Sequence, residues 1–192
     1  NDTRRHTVQP PLVKQGDTVR EGMLIGKSPD TRIHAPIPGI VREIREVEGY
    51  DGVLTKAVVI ELNGEFDRLG KKEGEHQWRN QTPEQLRKAL MERGVVGMGS
   101  EGYPSHLKYE AAMSEEVELL VINAMESDHY LQADLQLVRS YPEQLLEGAE
   151  IIERIVAPKR LIFAFESRNR DGASRLRRAI SERGANWKVK VI

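Results

Sequence analysis

The stretch PEQLLEGAEIIERIVAPKRLIFAF, residues 142–165, changes its hydrophobic period half-way and thereby sets the fold class. From Pro142 to Val156 the side chains of Leu145, Leu146, Ala149, Ile152 and Ile155 recur at helical spacing, so the segment predicts an amphipathic helix. Leu161-Ile-Phe-Ala-Phe165 is then a continuous apolar run, short and β-prone, of the kind that forms a buried strand. Upstream, Val117 to Ile122 (VELLVI) is a second such run, expected as a strand covered on both faces. Downstream, Asp171 to Arg183 puts Ala173, Leu176 and Ile180 on one helix face, Gly184 stops it, and Trp187-Lys-Val-Lys-Val191 alternates like a strand. Strands alternating with helices at this spacing predict an α/β unit with a mainly parallel sheet. A further helix is expected from Thr82-Pro83-Glu84-Gln85, a capping-box start, through Leu86, Ala89, Leu90 and Arg93, with Gly94 as its end.

The first third has a different texture. Between His6 and about Glu65 short β-prone pieces alternate with Gly and Pro: Thr7-Val8, Val13-Lys14, Val19, Leu24-Ile25, Ile33-His34, Ile40 to Ile44 and Val53 to Leu62. The segment from Phe66 to Gln81 is polar and without period, and is expected to be a linker. Gly16-Asp17-Thr18-Val19-Arg20-Glu21-Gly22 and Ala35-Pro36-Ile37-Pro38-Gly39-Ile40-Val41 resemble the two turns that frame the biotinyl and lipoyl carrier fold. That fold acylates a hairpin lysine several residues before Ala-Pro. Here the span is shortened, with Lys27 beside Ser28-Pro29-Asp30 and Arg32 nearer the tip, so the expectation is the scaffold without a swinging arm.

Composition removes several classes. In 192 residues, 29 Lys and Arg against 30 Asp and Glu leave a net charge of −1, and the basic residues are scattered, so no nucleic-acid face is expected. No run of 18 apolar residues exists, so the sequence carries no transmembrane helix. The absence of Cys excludes disulfides, thiolate catalysis and cysteine-ligated clusters from these residues. Because the chain opens on Asn1 and stops on a strand-like run, it is expected to be part of a longer protein.

Two motifs can carry chemistry. Gly97, Gly99 and Gly102 in GVVGMGSEGYPSHLK, residues 94–108, satisfy G-x-G-x-x-G, a spacing that brings backbone N–H groups to a pyrophosphate, and Lys108 adds a cation. The loop follows a helix with only Val95-Val96 between, whereas the dinucleotide fingerprint follows a strand and opens a helix. The alternative is a plain glycine-rich turn. Asn123-Ala-Met-Glu126-Ser-Asp128-His129 follows the VELLVI strand, at the carboxyl end of the sheet where open α/β folds place ligands, and Asn123, Glu126 and Asp128 could bond a ring edge or a ribose or ribityl hydroxyl. The alternative there is a polar strand exit without a ligand. Asp128, His129 and Asp134 lack a second His at ligand spacing, so no metal site is read. His6, His34, His76 and His106 stand apart and are expected on the surface or in turns, and no nucleophile motif is present.

Taken in order, the β-half turns, the glycine loop and NAMESDHYLQAD, residues 123–134, resemble the C subunit of the Rnf electron-transport complex. That family's second domain is shared with the flavin-bearing subunit of respiratory complex I, and the resemblance spans nearly the whole chain. It implies an α+β two-part chain: a small β barrel-sandwich (biotinyl/lipoyl-like) domain over residues 1–66, then an α/β Rossmann-like domain with a mainly parallel sheet over residues 67–192. It implies FMN held by the glycine loop and the strand-end motif, and NADH as hydride donor. Electrons would leave through 4Fe-4S clusters in a C-terminal region absent from this sequence. It implies other subunits of a membrane complex as partners, at the cytoplasmic face of the membrane. Residue by residue, Gly97, Gly99, Gly102, Pro104, His106 and Lys108 match the loop, approximately GLGGAGFPTHVK in the family, and Tyr103 stands for its Phe as a stacking platform. Asn123, Glu126 and Asp134 match the second motif, approximately NGAECEPYLTAD. The departures are Ser100 for Gly, Glu101 for Ala, Ser127 for Cys and Asp128-His129 for Glu-Pro, with Glu101 adding negative charge where a phosphate would approach. They leave a second expectation open, a docking subunit of the same family with an empty flavin site. Cobalamin-reductase-like proteins, which share the module, are a third.

Overall fold

The computed structural model describes residues 10–49, 52, 54–63, 77–98, 102–126, 130 and 132–192. The expected strand Thr7-Val8, most of the linker, and Gly99, Ser100, Glu101, Ser127, Asp128 and His129 lie outside the described residues. Two compact units emerge, one of Asn1–Gln77 with Arg87–Lys108, the other of Trp78–Leu86 with Tyr109–Ile192.

In the first unit, β1 (Thr18–Val19), β4 (Gly39–Glu48) and β5 (Leu54–Leu62) form an antiparallel sheet in the order β1-β4-β5, and β2 (Leu24–Lys27) pairs with β3 (Arg32–His34) as a hairpin. The two sheets enclose Val13, Val19, Ile25, Ala35 and Val41, all buried. The carrier-like turns are structural pins. The Asp17 carboxylate accepts the Lys14 N–H at 2.9 Å, Gly16 N–H bonds Val41 O at 2.8 Å, and Gly22 N–H bonds Ala35 O at 2.8 Å. Gly39 is required by close approach, since a Cβ there would lie 2.1 Å from the Glu61 carbonyl oxygen across the sheet. At the hairpin tip Ser28 N–H bonds Thr31 O, and the Arg32 guanidinium folds back onto the carbonyls of Ser28 and Thr31. Val13-Lys14 forms no strand. Val13 is nonetheless buried, and Leu12 N–H bonds Ile25 O, which anchors that segment beside β2.

The second unit is the α/β part. β6 (Leu120–Asn123), β7 (Leu161–Phe165) and β8 (Lys188–Val191) are parallel, in the order β6-β7-β8. Between them run α3 (Ala133–Ser140), α4 (Pro142–Val156) and α5 (Arg170–Arg183), which pack on one another. α1 (Pro83–Glu92) begins with the expected capping box: Thr82 N–H donates to Gln85 Oε1 and Gln85 N–H to Thr82 Oγ1. α2 (Ser105–Met113) and α3 were not expected from periodicity.

The core gathers on one face of the sheet. Leu161, Phe163 and Phe165 of β7 meet Leu146 and Ala149 of α4 and Ala173, Leu176 and Ile180 of α5, all buried. The expectation that VELLVI is covered on both faces is corrected. The strand proper is Leu120–Asn123, and within this unit the helices are on the Ile122 side, leaving Val121 48% exposed beside Ile162 and the exposed Lys188 and Lys190. The expected linker also ends earlier than its polar composition suggested. Trp78 opens a short 3-10 turn, is buried, and donates its Nε1–H to Glu147 Oε1 of α4 at 2.8 Å.

Phe163→Ala is expected to cost about 3–5 kcal/mol in urea unfolding, because a fully buried aromatic leaves a cavity the strand cannot close. Val121→Ala on the open face should cost less than about 1 kcal/mol. Equal losses for the two would show that the sheet is buried on both sides.

Candidate functional site

The glycine loop lies between α1 and α2. Val96 and Pro104 form an isolated antiparallel bridge, Gly97 N–H bonds Tyr103 O at 2.8 Å, and Ser105 N–H bonds Val95 O at 3.1 Å, so the loop closes on itself before α2 begins. A loop opening directly into a helix N-terminus is half of the phosphate-binding context, and composition had hidden the helix. The glycines differ in what they allow. Gly102 has φ +55°, a left-handed backbone that favours glycine, and nothing among the described residues lies within 4 Å of a Cβ position. Gly97 has no such conformation, and its N–H is taken up within the loop. Tyr103 is 44% exposed. Lys108 is exposed on the first turn of α2, and its ammonium has no partner among the described residues. His106, expected on the surface, is buried at 3% exposure. The helix register explains this, because His106 is the buried residue of α2. His34 is half-buried in β3, and His6 and His76 are outside the described residues.

The strand-end motif belongs to the other unit. Asn123 Oδ1 accepts the Met125 N–H at 3.0 Å, an Asx turn that carries the chain off β6. Glu126 Oε1 accepts the N–H groups of Asp134 and Leu135 at 2.9 and 3.1 Å. These are first-turn donors of α3, whose own N-cap residue Gln132 makes no side-chain cap. Glu126 therefore caps α3 from eight residues upstream, with its charge at the positive end of the helix. Asp134, on the exposed side of α3, has its carboxyl raised above the ordinary range, by partial desolvation first and the Glu126 charge second. Sequence reasoning placed Glu126 and Asp134 in one motif and missed the bond between them, because the cap lies outside any local window.

So the structure brings Gly97, Tyr103 and Pro104 together in one closed loop with Lys108 on the following helix. It brings Glu126 and Asp134 together with Asn123 at the preceding strand end. Asp128, His129 and Gly99 lie outside the described residues. Among the described residues no cluster of His, Asp and Glu could hold a metal ion, and no helix is long and apolar enough to cross a membrane.

The β unit, the glycine loop that opens α2 and the polar strand end on a parallel sheet can be set beside known families. Residues 90–192 match the Nuo51 FMN-binding domain and residues 5–65 the RnfC barrel sandwich hybrid domain. The chain belongs to the family of C subunits of Rnf-type complexes, and its larger part to the Nuo51 FMN-binding domain family. Among its relatives are C subunits of the ion-translocating oxidoreductase complex. That of Vibrio cholerae is 28% identical over 90% of this chain and 23% of that protein, and that of Pasteurella multocida 30% identical over 91% and 21%. That of Pectobacterium atrosepticum is 29% identical over 94% and 26%. The chain thus spans about a quarter of the length of these relatives. Among solved structures, an NAD+-reducing NiFe hydrogenase in the air-oxidized state aligns with TM-score 0.48 and 19% identity, over 57% of this chain and 20% of that one.

Glu126→Ala is expected to destabilise the chain by about 1 kcal/mol through loss of the α3 cap. In Glu126→Gln an NMR titration should find the Asp134 pKa lower than in the parent but still raised, since desolvation remains. The folded chain holds the Asp134 proton more tightly than the unfolded one. Stability is therefore expected to fall as pH rises from the ordinary carboxylate range through the raised value, and Asp134→Asn should remove that part of the slope in a urea series.

Proposed function

We propose that the chain is the flavin and nicotinamide module of an Rnf-type electron-transport subunit, binding FMN and taking hydride from NADH. Residues 1–66 are its barrel-sandwich domain and residues 67–192 its Rossmann-like domain, both at the cytoplasmic face of a membrane complex whose other subunits are its partners. The observation that carries the proposal is the opening of the glycine loop into α2, with left-handed Gly102 at its end and, one turn on, an exposed Lys108 ammonium that has no partner among the described residues. Those features fit a phosphate monoester. An ammonium one turn into a helix adds its charge to the positive helix end, so the two attract the same anion.

The residues divide the work by chemistry. Gly97, Gly99 and Gly102 add no side chain at their own positions, Lys108 neutralises phosphate, and Tyr103 offers its half-exposed ring for stacking. Asn123 and Glu126 are the groups assigned to the ring edge or the nicotinamide. FMN, when bound, supplies the two-electron chemistry that no side chain here possesses. With no Cys among the 192 residues, the acceptor clusters belong to the rest of such a subunit.

A docking subunit with an empty flavin site is the second reading. It is favoured by the engagement of Gly97 N–H within the loop and of Glu126 Oε1 at the α3 cap.

Titration of the 192-residue chain with FMN, against riboflavin as the analogue lacking phosphate, separates the two. Micromolar FMN binding, absent with riboflavin and weakened about tenfold in Lys108→Ala, is the expected outcome. If FMN binds no better than riboflavin and Glu101→Ala does not restore the difference, the docking reading takes its place.

A further inference from the structure

Gly94 ends α1 and begins the glycine loop, and two demands meet on it. The helix closes with a pair of bonds, Gly94 N–H to Met91 O at 3.1 Å and Val95 N–H to Leu90 O at 3.0 Å, and Gly94 is left-handed at φ +65°. That ending favours glycine but also admits a residue such as Asn. The second demand excludes every side chain. A Cβ at Gly94 would overlap the Arg32 carbonyl oxygen of β3 and lie 3.6 Å from His34 Nδ1. The root of the loop therefore rests, backbone on backbone, on the β2–β3 hairpin, and both belong to the first unit.

Gly184 supplies the contrast. It closes α5 by the same pair of bonds, Gly184 N–H to Ser181 O and Ala185 N–H to Ile180 O, at φ +72°, and nothing among the described residues lies within 4 Å of its Cβ position. A left-handed helix end thus does not by itself bring another backbone so close. At Gly94 the element brought close is firm. Lys27 pairs with Arg32 and Leu24 with His34, Ala35 N–H bonds Met23 O at 2.8 Å, and the Arg32 guanidinium holds the carbonyls of Ser28 and Thr31 at the hairpin tip. What rests on it is the stem of the loop. Val95 and Val96 follow Gly94 and join Pro104 and Ser105 through the Val96–Pro104 bridge and the Ser105 N–H to Val95 O bond, and α2 with Lys108 starts from that stem.

We propose that β3 is the seat of the glycine loop, with Gly94 and Arg32 as positioning residues that fix where the loop stem and the N-terminus of α2 meet a phosphate. The hairpin that in the carrier fold presents a modified lysine bears the loop here. A rigid support under a binding loop sets where its donors stand, and a small displacement of those donors weakens binding. The phosphate rests on the flavin reading above, whereas the seat rests on the contact of Gly94 with Arg32.

The test is hydrogen exchange by NMR on the ligand-free 192-residue chain, followed by FMN titration. Gly94→Ala is expected to speed exchange of the Gly97 and Ser105 amides at least about tenfold relative to the Val41 amide of the barrel core, and Gly184→Ala to leave that ratio within about twofold. Arg32→Ala, which removes the bonds to Ser28 and Thr31 and leaves the Arg32 carbonyl in place, covers the case in which Gly94→Ala does not fold, and should raise the ratio about threefold. An unchanged ratio in Gly94→Ala or Arg32→Ala, or an equal rise in Gly184→Ala, overturns the seat. In the titration Gly94→Ala should weaken FMN binding about tenfold and Gly184→Ala should leave it unchanged. FMN affinity equal in Gly94→Ala and the parent overturns the positioning role, whereas a parent that binds no FMN defeats the flavin reading and leaves the exchange ratio to decide the seat.

Discussion

Phe163 and Phe165 leave the same face of a strand that is hydrogen-bonded on both edges, and burying that pair completely fixes most of the second unit. Once β7 is central, β6 and β8 have only its two edges to occupy. α4 and α5 must then supply Leu146, Ala149, Ala173 and Leu176 against the aromatic face. Gly172 shows how tightly this is packed, since a Cβ there would lie 2.8 Å from Leu135 Cδ1 of α3. Trp187 adds to the same cluster, 6.0 Å from the Phe163 ring, and its Nε1–H is satisfied by Glu153 of α4. Charged side chains tie the helices together: Arg139 to Asp171 and Arg183 to Glu143 reach exposed carboxylates, where water screens them, while Arg183 and Glu150 pair at 2.8 Å with both side chains largely covered.

How much of this the sequence disclosed depends on how local the cause was. α4, β7, α5 and β8 were legible because each announces itself by period within its own residues, and the capping box of α1 because both of its partners lie in four consecutive positions. α3 was not legible. It is eight residues long, its N-cap is Gln132 without a side-chain bond, and the group that satisfies its first turn is Glu126 on the far side of a loop. α2 was hidden for a related reason, in that Pro104 and Ser105 read as part of a glycine loop while the helix after them has almost no amphipathic stripe. Trp78 was misjudged because polar neighbours set the texture of its segment, whereas one indole is enough to dock it onto α4. The one-sided cover of β6 could not be read at all, since a continuous apolar run says that a strand is apolar, not which face receives a helix.

The motifs of the candidate site were legible in the sequence, and the bonds their polar groups make were not. Family resemblance assigns Asn123, Glu126 and the loop glycines to a cofactor, and in the structure several of the same polar groups satisfy the backbone instead. Asn123 Oδ1 closes a turn, Glu126 Oε1 caps α3, and the Gly97 N–H closes its loop. Glu126 is half-buried, so the bonds it makes to its own chain are ones a ligand at the same oxygen would have to replace.

That exchange carries a thermodynamic consequence. A ligand that recruits the same Glu126 oxygen must leave the Asp134 and Leu135 N–H groups without their cap, at a cost of about 1 kcal/mol, or roughly a factor of five in affinity. The second Glu126 oxygen escapes the cost only if α3 stays where it is, because the carboxylate is already oriented by the helix. The position of α3, set by Leu135 and Val138 in the core, thus decides which Glu126 oxygen is on offer. Substitutions in that buried seam would then tune the affinity of any ligand at Glu126 through the cap, without altering a direct contact to it.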